Sequence, residues 1–308
     1  MRALVFGATG QDGSYVAELL LQKGYDVHGT HRRSSSPNFQ RIAHVLDRLT
    51  LHHCDLTDAV SVRNVVSTVQ PDEIYNEADM DHVGWSFDTP FYSLDVTAAG
   101  PMRIFEAALA YAPGARIFQP CSSHMFGLVD TQPQTEETPF NPVSPYGCAK
   151  VYAYHTASYY RSRYGMSICC GILYNHESPR RSTEYVTRKI TSHAARGEKV
   201  RLGNINAHID WGYAGDYMDA AWRMLQQPTA DDYVIATGAT HTVADILEIC
   251  YGPNWRDMYE VDGELLRPTD TGVLVGDASK ARRTLDWSPT VGFRHLIEMM
   301  VEHDRAYQ

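Results

Sequence analysis

The first 24 residues, Met1 to Gly24, read MRALVFGATGQDGSYVAELLLQKG. Ala3, Leu4, Val5 and Phe6 make a continuous apolar run of strand length. Tyr15, Val16, Leu19 and Leu20 then fall on one face of a helix over Ser14–Lys23, which Gly24 stops. Between strand and helix lies Gly7-Ala8-Thr9-Gly10-Gln11-Asp12-Gly13, a GxxGxxG loop. Glycine at those positions lets the backbone approach a pyrophosphate, and the helix N-terminus presents unpaired N–H groups to the anion. The bland alternative is a merely tight strand–helix turn. The complete strand–loop–helix context favours dinucleotide binding by Gly7, Gly10, Gln11, Asp12 and Gly13.

Outward from this loop, strand-length apolar runs alternate with helical periods. YDVHGT, LTLHHCDL, DEIYNEA, ARIFQPCSS and SICCGILYN read as strands. Helices are expected over Ala59–Val69, Pro101–Tyr111 and Ala149–Tyr164. Continuous apolar strands alternating with helices imply a parallel sheet covered on both faces, a doubly wound α/β fold of the Rossmann kind. After about Asn175 the pattern becomes irregular, with short helices expected at Val186–Arg196 and Tyr217–Leu225 and a last one at Phe293–Tyr307. The chain therefore divides into a Rossmann domain over 1–175 and a smaller C-terminal substrate-binding lobe over 176–308, from which segments can return to the sheet.

The 308 residues are 44% hydrophobic and 21% charged, with a formal net charge of −10. That balance disfavours a nucleic-acid surface, and no apolar stretch has membrane-spanning length. The N-terminus reads as a strand running into glycines, not as a secretory signal. Six cysteines (Cys54, Cys121, Cys148, Cys169, Cys170 and Cys250) show no CxxC pair, which points to reduced thiols in the cytoplasm. His52-His53 lacks the carboxylate or cysteine spacing of a metal site, and none is expected.

The end of the second strand reads the cofactor's ribose. An acidic residue there bonds a 2′-hydroxyl, whereas arginine favours a 2′-phosphate. This chain has His31-Arg32-Arg33-Ser34-Ser35-Ser36, so NADP is expected over NAD, with Arg32 as the contact. Asp55 and Leu56, closing the third strand, are placed to bracket an adenine. Tyr146 and Lys150 form Tyr-x-x-x-Lys on one helical face. A phenol with a pKa of about 10 is a poor base at neutral pH, and a neighbouring ammonium favours the phenolate that takes a proton from a sugar hydroxyl. Ser122 and Ser123 end the strand upstream, where a hydroxyl, assigned to Ser123, binds the same substrate oxygen.

On these residues the chain resembles GDP-mannose 4,6-dehydratases along nearly its whole length. The matching strings include GATGQDGSYVAELLLQKGYDVHG, HRRSSS, CDLTD, SPYGCAK, NHESPRR, VTRKI, DWGYAGDY, VIATG and LRPTD. The resemblance implies an extended short-chain dehydrogenase in which Tyr146 and Lys150 are the hydride-transfer pair. It places Ser122, His176 and Arg181 at the cofactor, and Asn175 and Glu177 near nicotinamide and sugar. Ser86, Lys189, Arg267 and Asp270 fall on the substrate side, the last three at the nucleotide diphosphate or its ribose. It further implies a nucleotide-diphosphate sugar as substrate, and a homodimer or homotetramer in which the RRSSS loop reaches a neighbouring subunit.

Departures from that family cluster at the substrate. Ser122-Ser123-His124 stands where the family has Thr-Ser-Glu, and that glutamate is the family's acid/base at C5 and C6. Asn76-Glu77-Ala78-Asp79-Met80-Asp81-His82 replaces Asn-Leu-Gly-Ala-Gln-Ser-His, adding carboxylates expected to reshape the sugar pocket. His208-Ile209 replaces Lys-Arg, removing a planar anion fork. A histidine still titrates near neutrality and can move a proton; a packing role for His124 is the bland alternative. Because these changes fall where elimination is managed, the expected reaction is 4-epimerisation of a manno-configured nucleotide hexose or heptose. The alternatives are 4,6-dehydration, C4 dehydrogenation or reduction, and a cofactor-binding protein without catalysis.

Overall fold

Ala3 and Val5 point to one side of the first strand, Leu4 and Phe6 to the other, and all four are fully buried. A strand buried on both faces belongs inside a helix-covered parallel sheet. The computed structural model describes residues 1–36, 38–266 and 273–307. Its strands in chain order are β1 (Arg2–Phe6), β2 (Asp26–His31), β3 (Thr50–His53), β4 (Glu73–Asn76), β5 (Arg116–Ser122), β6 (Ser167–Leu173), β7 (Asn175–Glu177), β8 (Val200–Leu202), β9 (His208–Tyr213), β10 (Asp232–Ile235), β11 (Thr240–Thr242) and β12 (Tyr259–Val261). The main sheet runs β10-β6-β5-β4-β1-β2-β3 with every pairing parallel.

Helices α1 (Gln11–Gln22), α2 (Ala59–Val69), α3 (Val83–Asp88), α4 (Pro90–Ser93), α5 (Gly100–Tyr111), α6 (Pro145–Tyr164), α7 (Val186–Arg196), α8 (Ala214–Leu225), α9 (Val243–Tyr251), α10 (Ser279–Leu285) and α11 (Phe293–Ala306) complete the frame, with a π-helical turn at Leu94–Ala99 between α4 and α5. Val16, Leu20, Met218, Met224 and Leu285 from α1, α8 and α10 cover one face of the sheet. Val62, Val66, Ile104, Phe105 and Tyr160 from α2, α5 and α6 cover the other. The sheet is thus a doubly wound Rossmann fold, as expected. Its strand order reverses between β1 and β4, and ligands of such sheets bind at that switch, beyond the carboxyl ends of the strands.

The lobe contains a three-stranded sheet, β11-β9-β7, and the pair β12-β8. Its core is built on Ile190, Leu202, Trp211, Ile246, Leu296 and Met300. β10, α8 and α10 lie beyond residue 175 yet pack on the main sheet. Asp232–Ile235 is only four residues long and sits in turn-rich sequence, so its return carries little periodic signal.

α6 begins at Pro145, four residues before the expected start. Ser144 Oγ accepts the Gly147 N–H at 3.0 Å and Pro145 occupies the first helical position. That cap places Tyr146 in the first turn, with Lys150 one turn later. None of the described helices is long and apolar enough to cross a membrane.

Candidate active site

The glycine loop folds back on itself at the switch point. Gly7 has φ +75°, and a Cβ on Gly13 would lie 2.2 Å from the Gly7 carbonyl oxygen. Positions 7 and 13 are therefore closed to any larger residue, which leaves the bare N-terminus of α1, whose Gly10 cap has no side-chain hydrogen bond, at the switch. Such a cradle fits a dinucleotide pyrophosphate.

Gln11 and Asp12 tie this terminus to β7. Gln11 Nε2 donates to the His176 carbonyl at 3.2 Å, and Gln11 Oε1 accepts from Ser178 Oγ at 2.8 Å. The His176 ring faces Asp12 Oδ2 at 2.9 Å through Nε2 and the Tyr174 carbonyl at 2.7 Å through Nδ1, and it stacks on Tyr217. Burial pushes the His176 pKa down, but the charge and hydrogen bond of Asp12 outweigh it and the pKa is raised. Burial likewise opposes ionisation of Asp12, and His176 together with Arg181 holds its carboxyl below the usual value.

The pair stabilises the fold in a defined pH window. The His176 contribution is complete below its ordinary value of 6.5 and is lost as pH rises through the raised folded value. The Asp12 contribution is complete above 3.8 and is lost as pH falls through the depressed value. Asp12→Asn should thus lower the melting temperature most between those limits, with the gap closing on either side. Thermal melts across pH test this, and a gap independent of pH would show that the pair is not ionised.

In the Tyr-x-x-x-Lys pair, Tyr146 and Lys150 are both buried, and Lys150 Nζ lies 5.6 Å from the Tyr146 ring centre. Lys150 Nζ donates to the Pro120 carbonyl at 2.8 Å and pairs with Asp79 Oδ2 at 2.5 Å. Burial raises the Tyr146 pKa. Lys150 and a hydrogen bond from Ser122 work against this, and Asp79 and Asp81 reinforce it, so the phenol lies above its ordinary value. The Tyr-x-x-x-Lys spacing predicts a lysine that favours the phenolate; its charge is here largely met by Asp79. Of the Ser122-Ser123 pair, Ser122 is the hydroxyl that works to lower the Tyr146 pKa. Ser122 is the last residue of β5, and Ser123 opens the following 3-10 turn, where it is fully enclosed.

His124 lies in that turn, half-buried, its ring edge-on to Tyr146 with centres 6.1 Å apart. Gly147 allows this approach, since a Cβ there would stand 2.7 Å from the His124 carbonyl oxygen.

The added carboxylates of the β4–α3 segment meet the site's cations. Asp79 holds Lys150, and Asp81 lies 3.5 Å from Arg181 Nη1. Arg181 is stacked over Tyr185 and also faces Glu177 at 3.3 Å. Burial lowers the Arg181 pKa, but Glu177 and Asp81 outweigh it and fix the guanidinium as a cation. Glu77, beside the glycine loop, is pushed well above the usual carboxylate range by burial, Asp12 and Asp79, against the pull of Lys150.

Other expected residues are more dispersed. Arg32 is exposed and donates to Tyr92 OH at 2.5 Å, linking the end of β2 to α4. Asp55 Oδ1 accepts from Thr57 N and Oγ1, and Leu56 is buried against Gly100. Ser86 is buried with its hydroxyl on the Val83 carbonyl. Asn175 begins β7. Lys189 on α7 has its pKa lowered by burial, with Asp262 opposing and Arg201 assisting. Arg267 and Asp270 lie outside the described residues. Among the described residues no three His, Cys, Asp or Glu side chains converge as metal ligands.

The family pattern described as GDP-mannose 4,6 dehydratase matches residues 4–300. The chain belongs to the GDP-mannose 4,6-dehydratase family. GDP-mannose 4,6 dehydratase 1 of Arabidopsis thaliana is 47% identical over 322 residues, spanning 98% of this chain and 89% of its own. The human GDP-mannose 4,6 dehydratase is 41% identical over 337 residues, spanning 98% and 91%. Among solved structures, a UDP-glucose 4-epimerase from Thermus thermophilus in complex with NAD superposes with a TM-score of 0.90 at 25% identity, covering 100% of both chains. A dTDP-glucose 4,6-dehydratase from Bacillus anthracis has a TM-score of 0.87 at 21% identity, covering 98% and 96%, a likeness of fold. As a member of the GDP-mannose 4,6-dehydratase family, the chain is a nucleotide-sugar-modifying enzyme of the extended short-chain dehydrogenase type. The expected 4-epimerisation gains no support from the sequence relatives, both of which are named GDP-mannose 4,6 dehydratases.

Proposed function

We propose that the enzyme is a GDP-mannose 4,6-dehydratase that uses NADP and has His124 as its acid/base. The observation that carries this reading is the 47% identity with a GDP-mannose 4,6 dehydratase over 98% of the chain, joined to a site in which Ser122, His124, Tyr146 and Lys150 converge. A bound nicotinamide supplies an acceptor for the C4 hydrogen and returns that hydrogen to the sugar. Tyr146 takes the proton of the C4 hydroxyl, and Ser122 donates to the same oxygen. Neutral His124 then removes the C5 proton, made acidic by the new C4 ketone. The resulting imidazolium protonates the departing C6 hydroxyl, which leaves as water. His124, neutral again, takes a second proton from solvent, matching the one that Tyr146 releases, and delivers it to C5 as the hydrogen returns to C6. Lys189 and Arg181 bring cationic charge to the diphosphate and the cofactor.

A panel of nucleotide sugars tests the substrate. GDP-mannose should give a 4-keto-6-deoxy product lighter by one water, with UDP- and dTDP-glucose turned over far more slowly. A second reading, 4-epimerisation, rests on the departures implied by the family resemblance at His124, at Glu77, Asp79 and Asp81, and at His208-Ile209. A product of unchanged mass and inverted C4 would establish it.

NADP preference rests on Arg32 and on the lack of an acidic residue in His31–Ser36. Arg32→Ala should lower the ratio of NADP to NAD affinity by roughly tenfold, the worth of one charge-assisted hydrogen bond. Titration of both dinucleotides checks it, and equal affinities in the unmodified enzyme would refute the assignment. The enzyme works as a cytoplasmic homo-oligomer in this reading, in keeping with six free cysteines and with the exposed Tyr152 and Tyr159 on α6.

A further inference from the structure

Lys150 is the cation beside the phenol of Tyr146, and its surroundings are built around a carboxylate. Asp79 is enclosed in the segment after β4. Its Oδ2 meets Lys150 Nζ at 2.5 Å, while Oδ1 accepts from Thr97 Oγ1 at 2.5 Å and from the Met80 N–H at 2.8 Å. Thr97 belongs to the π-helical turn Leu94–Ala99, is itself buried, and comes from an element packed directly on α6. The lysine's second bond, to the Pro120 carbonyl, belongs to a chain in which Asn76 Nδ2 donates to Gln119 Oε1 and Gln119 Nε2 to the same Pro120 oxygen. Side-chain exposure is 4% for Lys150 and 13% for Asp79, so solvent screens this ion pair little.

We propose that Asp79 is a positioning residue that acts through Lys150: it holds the ammonium against the Pro120 carbonyl, balances its charge, and so governs how readily Tyr146 gives up its proton in the C4 step. The proposal rests on the reading of Tyr146 as the C4 base. In a low-dielectric site an ammonium lends a phenolate its full charge only when no nearer anion has claimed it. Asp79 is that nearer anion.

The other groups facing Tyr146 do not replace the missing positive charge. From the β4–α3 segment comes Asp81, engaged with Arg181; from the end of β5 comes Ser122, and from the turn after it the half-buried His124; from the segment before α7 comes Tyr185. Around Lys150 stand Glu77, Tyr146 and Cys121 besides Asp79. The wild-type enzyme should thus reach full C4 oxidation only on the alkaline side, where base removal of the phenol proton becomes favourable.

The test is the pH profile of kcat for appearance of reduced nicotinamide with GDP-mannose, in the wild type, Asp79→Asn, Asp79→Glu and Tyr146→Phe. Asp79→Asn keeps the shape and an acceptor for Thr97 but loses the charge. Its acidic limb should move down by about one pH unit, giving roughly tenfold faster C4 oxidation at a pH on that limb, with KM for GDP-mannose little changed. Asp79→Glu should restore the wild-type limb. A folded Asp79→Asn enzyme whose limb stays in place, or whose kcat falls equally at all pH values, would overturn the proposal while leaving Tyr146 as base. Retained activity in Tyr146→Phe would instead overturn the reading beneath it. Should Asp79→Asn fail to fold, difference absorbance of the wild type against Tyr146→Phe decides. No Tyr146 phenolate should form below about pH 10, the ordinary phenol value, and a phenolate near neutrality would contradict the charge balance.

Discussion

Tyr146→Phe should fold, keep its affinity for cofactor and GDP-mannose, and lose turnover by at least about a hundredfold, the usual scale for a general base. The ring is buried in the first turn of α6 and packs edge-on to His124, so phenylalanine fills the same volume and only the hydroxyl is lost. With that oxygen go the acceptor for the substrate proton and the partner of Ser122. Steady-state kinetics beside a binding titration separate the two effects. Activity near that of the wild type would mean that another group takes the C4 proton.

His124→Ala carries the second large effect, on a different step. Elimination needs a proton removed from C5 and one delivered at C6. The imidazole in the turn after β5 stands edge-on to the Tyr146 ring and is the titratable group assigned to that transfer. Removing it should slow water loss by roughly a hundredfold or more. C4 oxidation depends on Tyr146, Ser122 and Lys150, so reduced nicotinamide should accumulate at the 4-keto stage in the variant. Stopped-flow absorbance with mass analysis of the product follows both steps. Unimpaired water loss would assign His124 to packing and the proton to some other group.

Much of this frame is legible in the sequence, for a physical reason. Strands buried on both faces leave unbroken apolar runs, so β1, β5 and β6 stand out, and the glycine loop announces the switch point, where ligands of such sheets bind. β10 stays hidden because four residues give no period to read. The start of α6 is misplaced because apolar periodicity begins later than the cap; Ser144-Pro145 is the signal that corrects it.

The site is less legible than the sheet. Ser122 and Ser123 differ only by strand parity, and a strand's last residue cannot be fixed from sequence, so which of the two hydroxyls meets the substrate oxygen is not read from the sequence alone. The carboxylates at 79 and 81 are conspicuous, but their partners Lys150 and Arg181 lie on other elements, and only the fold brings them together. Asp12 reads as part of a phosphate loop; its pairing with His176 across the switch point depends on β7, a three-residue strand.

The central claim is that this enzyme oxidises C4 of GDP-mannose and then eliminates water across C5 and C6 with His124 moving the proton. Turnover of GDP-mannose with NADP in heavy water, followed by mass and NMR of the product, tests it most directly. The account predicts a 4-keto-6-deoxy sugar that has lost one water, with solvent deuterium at C5 and the former C4 hydrogen at C6. A product of unchanged mass, inverted at C4 and free of deuterium at C5, would contradict it.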